Sequence, residues 1–144
     1  MDRETLIDAF MNKPYNGAHR YGKYQNTRSG FWHVLSYLYK NRGTDVFPGD
    51  LCSELDVTTP RVTTILNELE GDGLILRVAH ASDRRKVRLI LTDEGLQRIE
   101  THNAQRRREI ERLIDRVGEA NAEIYLQVCE AIREERQRHG RTLD

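Results

Sequence analysis

The chain has 144 residues, enough for one compact domain or a small domain with an assembly element, and it is 38% hydrophobic and 32% charged. That balance is lean for a self-sufficient core and suits long helices with solvated faces. No apolar run approaches the roughly 18 residues a membrane span needs, and the polar start Met1-Asp2-Arg3-Glu4 has no signal-peptide character, so a cytoplasmic protein with no membrane partner is expected.

Zero formal net charge hides a segregation. Residues 12–44 carry six basic residues and no acid, and residues 57–92 carry six basic against four acidic. The two stretches total +8, which the rest of the chain offsets. A nucleic acid responds to the local patch, because charges beyond about 8–10 Å are screened.

In chain order, residues 3–11 suit a short amphipathic helix with Leu6, Ile7 and Phe10 on one face. Pro14, Gly17 and Gly22 make residues 12–29 irregular or only partly helical, with Tyr15, Tyr21 and Tyr24 among the bases. From Ser29, the residues Phe31, Val34, Leu35, Leu38 and Tyr39 recur at helical spacing until Gly43 stops the pattern. Residues 49–56 form a third helix led by Pro48, and a tight connection through Asp56-Val57-Thr58 leads into a fourth over 60–71. Thr59 is the predicted N-cap there, with Pro60 at the first helical position and Gly71 or Gly73 at the end. Residues 74–79 and 86–91 alternate as a hairpin, Thr92 caps the next helix, and two helices over about 93–116 and 119–138 complete the chain.

The 60–71 helix turns Val62, Ile65, Leu66 and Leu69 inward and shows Thr64 and Asn67 outward, flanked by Thr63, Arg61 and Glu68. Hydroxyl, amide and guanidinium groups are those that read base edges in a major groove, and Thr59 and Arg61 gain near phosphate from the positive helix end. The hairpin tip gathers Arg84, Arg85 and Lys86, with Arg88 on the outward face of the second strand. An arginine there suits a minor groove, whose narrow form concentrates negative potential, and Asp83 is placed to brace Arg85. A short helix, a tight turn, a groove-sized helix and a cationic ribbon together imply a mainly α, winged helix-turn-helix DNA reader.

Asp83-Arg84-Arg85, followed by Val87-Arg88-Leu89 and Leu91-Thr92-Asp93-Glu94-Gly95, resembles the wing signature of the MarR family of bacterial transcription regulators. Leu69 to Arg77 resembles that family's exit from the recognition helix, and Leu51 to Leu74 fits its helix-turn-helix spacing. The match is specific over residues 48–96 and weak outside it. The resemblance implies a winged-helix homodimer on a pseudo-palindromic operator in double-stranded DNA, Asp83 and Arg85 as the wing pair, and repression relieved by a small ligand. The family's first helix is long, whereas Pro14, Asn16-Gly17 and Gly22 interrupt it here. Residues 1–29 and 93–144 are expected to form the helical dimerisation module and residues 30–92 the DNA-binding module. Leu96, Ile99, Ile110, Leu113, Ile114 and Val117, then Ile124, Val128, Ala131 and Ile132, give apolar stripes that a small domain could not bury alone.

Tyr15, Tyr21, Tyr24, Phe31, Trp32 and Tyr37 supply aromatic surface that suits a planar aromatic or phenolic effector, or that simply fills the junction under a short first helix. No nucleophile motif, phosphate-cradling loop or HExxH is present, so neither an enzyme nor a cofactor is expected. Cys52 and Cys129 match no metal-ligand spacing, and Asp50 and Glu54 oppose an activated thiolate at Cys52; the five histidines are scattered and read as polar surface, with a metal-sensing set of His19, His33 and His102 as the minor alternative. Two other readings compete: a ligand-independent architectural DNA binder, and a winged-helix module that binds protein, which would have little use for Arg84-Arg85-Lys86.

Overall fold

Local chemistry sets most element ends in the computed structural model, which describes residues 1–12 and 27–139. The elements are α1 (Arg3–Asn12), α2 (Thr27–Lys40), α3 (Pro48–Leu55), α4 (Thr59–Gly71), β1 (Ile75–Ala79), β2 (Val87–Leu91), α5 (Asp93–Val117) and α6 (Glu119–Arg138). Helix α2 begins at Thr27, two residues before the expected start, so residues 27–29 are helical rather than irregular. Tyr15, Tyr21, Tyr24, His19 and the Pro14–Gly22 interruption lie outside the described residues.

The chain divides into two units, Tyr21–His102 and Met1–Arg20 with Asn103–Asp144. In the first, α2 contributes Val34, Leu35 and Leu38 to one core, α3 contributes Leu51 and Leu55, and α4 contributes Val62, Ile65, Leu66 and Leu69. Leu74, Ile75, Leu89 and Ile99 close it from the hairpin side and the start of α5. Helix α3 ends on Asp56, a left-handed residue at φ 53°, which turns the chain sharply toward α4.

The cap of α4 differs from expectation: the N-cap is Thr58, whose hydroxyl accepts from the Arg61 N–H, and Thr59 is the first helical residue. Pro60 fits the second position as well as the first, since no first-turn N–H has an intrahelical acceptor. At the other end Gly73, at φ 76°, completes a Schellman turn in which Leu74 N–H donates to the Leu69 carbonyl at 3.0 Å. Thr92 then ties two elements together. Its hydroxyl donates to the Gly73 carbonyl at 2.7 Å and accepts the Gly95 N–H at 3.0 Å as the cap of α5.

The hairpin is antiparallel, with Ile75 opposite Leu91 and Ala79 opposite Val87. Leu89 N–H also donates to the Val46 carbonyl at 2.8 Å, which holds β2 against the loop between α2 and α3. Each strand starts one residue later than expected, at Ile75 and Val87, and His80 N–H still pairs with the Lys86 carbonyl across the loop.

The second unit buries Leu6, Ile7 and Phe10 of α1 with Ile110, Ile114, Ala122 and Leu126. Its α1 starts on Asp2, whose carboxylate accepts the Thr5 N–H at 2.8 Å and is held below its ordinary pKa by that bond. Arg3 pairs with Asp115, and Arg107 is ringed by Glu4, Asp8 and Glu111. The hydrogen bonds that Arg3 donates to Asp115 and Arg107 to Glu4 raise those two guanidinium pKa values further. Among the described residues no helix is long and apolar enough to cross a membrane.

Candidate nucleic-acid interface

Thr63 and Thr64 stand exposed on α4, away from the core stripe. Each hydroxyl donates back along the helix, Thr63 to the Thr59 carbonyl and Thr64 to the Pro60 carbonyl, both at 3.0 Å. With the O–H committed, each side chain offers outward a methyl group and an acceptor oxygen, rather than the donor-or-acceptor pair expected of a hydroxyl. Their reading capacity is therefore narrower than residue type suggests: amino groups of adenine or cytosine, and the thymine methyl.

Thr59 is exposed at the first turn, its hydroxyl 3.8 Å from the Cys52 sulfur, and Arg61 is half-buried. Asn67 is exposed, but its Oδ1 accepts a hydrogen bond from Arg77 Nη2 of β1. Arg77 also lies 3.7 Å from Glu70, one turn beyond Asn67 on the same helix. The sequence gives no sign of this clamp, since the partners belong to a helix and a strand and meet only because the Schellman turn folds β1 back along α4.

The hairpin tip is shaped by Asp83. Its Oδ1 accepts from the Arg85 backbone N–H at 3.0 Å and from Arg85 Nε at 3.4 Å, and Lys86 N–H closes onto the Asp83 carbonyl at 3.0 Å. This Asx arrangement fixes the turn and leaves the Arg85 side chain 93% exposed. Arg84 and Lys86 are exposed beside it, the Lys86 ammonium 5.9 Å from the Phe47 ring centroid.

A second group, at the loop end of the hairpin strands, was not legible from spacing. His80 Nε2 donates to Asp45 at 3.0 Å and its Nδ1 accepts the Ser82 N–H at 3.3 Å, while Arg88 Nη1 reaches the other Asp45 oxygen at 3.4 Å. Arg88, expected to face outward, is thus held by a carboxylate from the loop before α3. Asp45 therefore ties His80, the residue after β1, to Arg88 of β2 at the loop end of the hairpin.

Of the aromatic group, Phe31, Trp32 and Tyr37 pack half-buried against the core of the first unit. Trp32 stacks on His102 with ring centroids 3.7 Å apart. Among the described residues no group of three or more His, Cys, Asp or Glu could hold a metal ion.

A three-helix core with its last helix exposed beside a cation-tipped hairpin defines the winged helix-turn-helix class. A model described as the MarR family matches residues 31–86. Streptococcus pneumoniae FabT, solved in complex with DNA, is 31% identical, with a TM-score of 0.62 over 72% of this chain and 71% of that one. The transcriptional repressor YetL of Bacillus subtilis is 32% identical over 71 residues, 49% of this chain and 42% of YetL. The homoprotocatechuate degradative operon repressor of Escherichia coli is 33% identical over 73 residues, 51% of this chain and 48% of that protein. The aligned part spans about half the length of these two curated relatives. The chain belongs to the MarR family.

Proposed function

We propose that the chain is a dimeric, sequence-specific DNA-binding repressor, with α4 in the major groove and the wing in the adjacent minor groove. The observation that carries this reading is Arg85, almost fully exposed on a turn that Asp83 fixes. An unbraced arginine would lose side-chain entropy on entering a groove, whereas Asp83 restrains this one beforehand and leaves its guanidinium edge outward. The charge pattern agrees: the wing and the segment through α2 hold the positive share of a neutral chain. FabT, a relative solved on DNA, supports the same partner.

In this reading residues 1–29 and 93–144 form the dimerisation module and residues 30–92 the DNA-binding module. The operator is a pseudo-palindrome whose half-sites lie about one helical turn apart. A small aromatic or phenolic effector releases it; Tyr15, Tyr21, Tyr24, Phe31, Trp32 and Tyr37 are the candidate lining, and one relative is named for the degradation of homoprotocatechuate, a phenolic acid.

The test uses the inverted repeat in the DNA beside the gene. Arg85→Ala should weaken binding to that duplex by about 10- to 100-fold at physiological salt. Unchanged affinity would remove the wing from the interface. Footprinting should give one protected palindrome; uniform coverage would make the chain an architectural binder instead. Phenolic acids should lower operator affinity, and a panel that leaves it unmoved counts against ligand release.

A further inference from the structure

We propose that Arg77 sets the base preference of Asn67, turning it from a reader of adenine into a reader of guanine. The inference rests on α4 being the recognition helix.

Arginine carries five N–H donors and no acceptor, so the atom of the Asn67 amide that faces it must be the oxygen. Chemistry thereby fixes the orientation of an amide that would otherwise turn freely. Glu70 holds the guanidinium from the other side, and the Arg77 side chain is only 26% exposed, so the clamp is partly shielded from solvent. Asn67 itself is exposed, and its Nδ2 makes no hydrogen bond among the described residues.

An unengaged asparagine reads adenine with both ends of its amide, accepting from N6 and donating to N7. That pairing needs Oδ1 outward. Here Oδ1 is turned to Arg77 and one of its two lone pairs is engaged there, so the end of the amide turned away from Arg77 is the nitrogen with two donors. Guanine answers it with two acceptors, N7 and O6. Adenine answers with N7 alone and sets its N6 amino group, a donor, beside the Asn67 amino group. Arg77 contacts no base in this scheme; it acts through Asn67 as a positioning residue.

The experiment begins with selection by the full chain from a duplex pool randomised over two half-sites. Affinities are then measured for the selected duplex and its single base-pair substitutions at one salt concentration. Asn67→Ala identifies the base pair concerned, as the one whose preference disappears. At that pair the unmodified chain should favour guanine over adenine by about 10-fold. Arg77→Met should lower that ratio about 10-fold and leave preferences elsewhere in place. Asn67→Asp alters an exposed position and keeps the clamp, so it reads the same question even where Arg77→Met folds poorly. It should move the preference to cytosine, whose N4 amino group needs an acceptor.

A preference for adenine in the unmodified chain, or an Arg77→Met effect equal on every duplex, overturns the proposal. So does an Asn67→Ala variant that keeps every base preference, although specific binding would then show α4 reading through other side chains. A selection that returns no sequence at all would instead remove the recognition-helix reading, and this inference with it.

Discussion

Gly95, in the first turn of α5, lies hard against the backbone of Leu74 at the turn between α4 and β1. A β-carbon there would lie 2.0 Å from the Leu74 carbonyl oxygen and 2.9 Å from Leu91 Cδ1. Alanine would improve intrinsic helix propensity by about 1 kcal/mol, yet the first obstacle is backbone, which cannot rotate aside. Overpacking of this kind costs about 1–3 kcal/mol, and Leu74 also accepts the Thr92 N–H through the same oxygen. Gly95→Ala should therefore lower unfolding free energy by about 2 kcal/mol in urea titrations. A variant as stable as the parent would mean that α5 shifts without cost. The residue scale also marks where sequence reading ran out. Asn67, Thr63 and Thr64 were identifiable as outward-facing from helical spacing alone. Their hydrogen bonds were not, because two are made to the residues' own helix and the third to a strand ten residues on.

Elements were legible where a periodic core stripe was bounded by turn chemistry. Leu51 and Leu55, then Val62, Ile65, Leu66 and Leu69, gave α3 and α4 directly, and alternation from Val87 to Leu91 gave β2. The start of α4 was harder, because Thr58 and Thr59 both suit an N-cap and proline suits either of the next two places. Asp56 decides it: its left-handed backbone closes α3 and leaves Thr58 as the extended residue, at φ −74° and ψ 157°. The caps differ in consequence. Thr58→Ala removes the acceptor for Arg61 N–H and should cost about 0.5–1 kcal/mol of stability. Thr59→Ala removes only a hydroxyl beside the Cys52 sulfur and should cost measurably less in the same thermal or urea melt. A larger loss from Thr59→Ala than from Thr58→Ala would place the cap at Thr59 in solution. The Asp45–His80 contact at the loop end of the hairpin belongs to this scale too. Asp45 and His80 stand 35 residues apart, and only strand pairing and the bond from Leu89 to Val46 bring their elements together.

At the scale of the molecule, the helical unit formed by the two chain ends is incomplete. Among the described residues its buried core has seven members, while Leu113 and Val117 of α5 and Ile124, Tyr125, Val128 and Ile132 of α6 are 36–54% exposed. On α6 the three branched aliphatics repeat every four residues, the spacing of a single helical stripe, and so much apolar surface on a small unit is the mark of a contact face. In the proposed function the occupant is a second copy of the chain, since a pseudo-palindromic operator presents two equivalent half-sites. Introducing Ile124→Asp together with Val128→Asp places charge on that stripe without touching the buried Leu126 or the Phe10–Tyr125 ring pair. Sedimentation should then show a monomer where the parent sediments as a dimer. Affinity for a duplex with both half-sites should fall by about 10²- to 10⁴-fold, since each half must now bind without its tethered twin. Affinity for an isolated half-site should stay near that of the parent, because Arg85 and α4 are untouched. A double variant that still sediments as a dimer would place the interface elsewhere. One that loses half-site binding as well would show that the stripe supports the fold of the chain and not only its pairing.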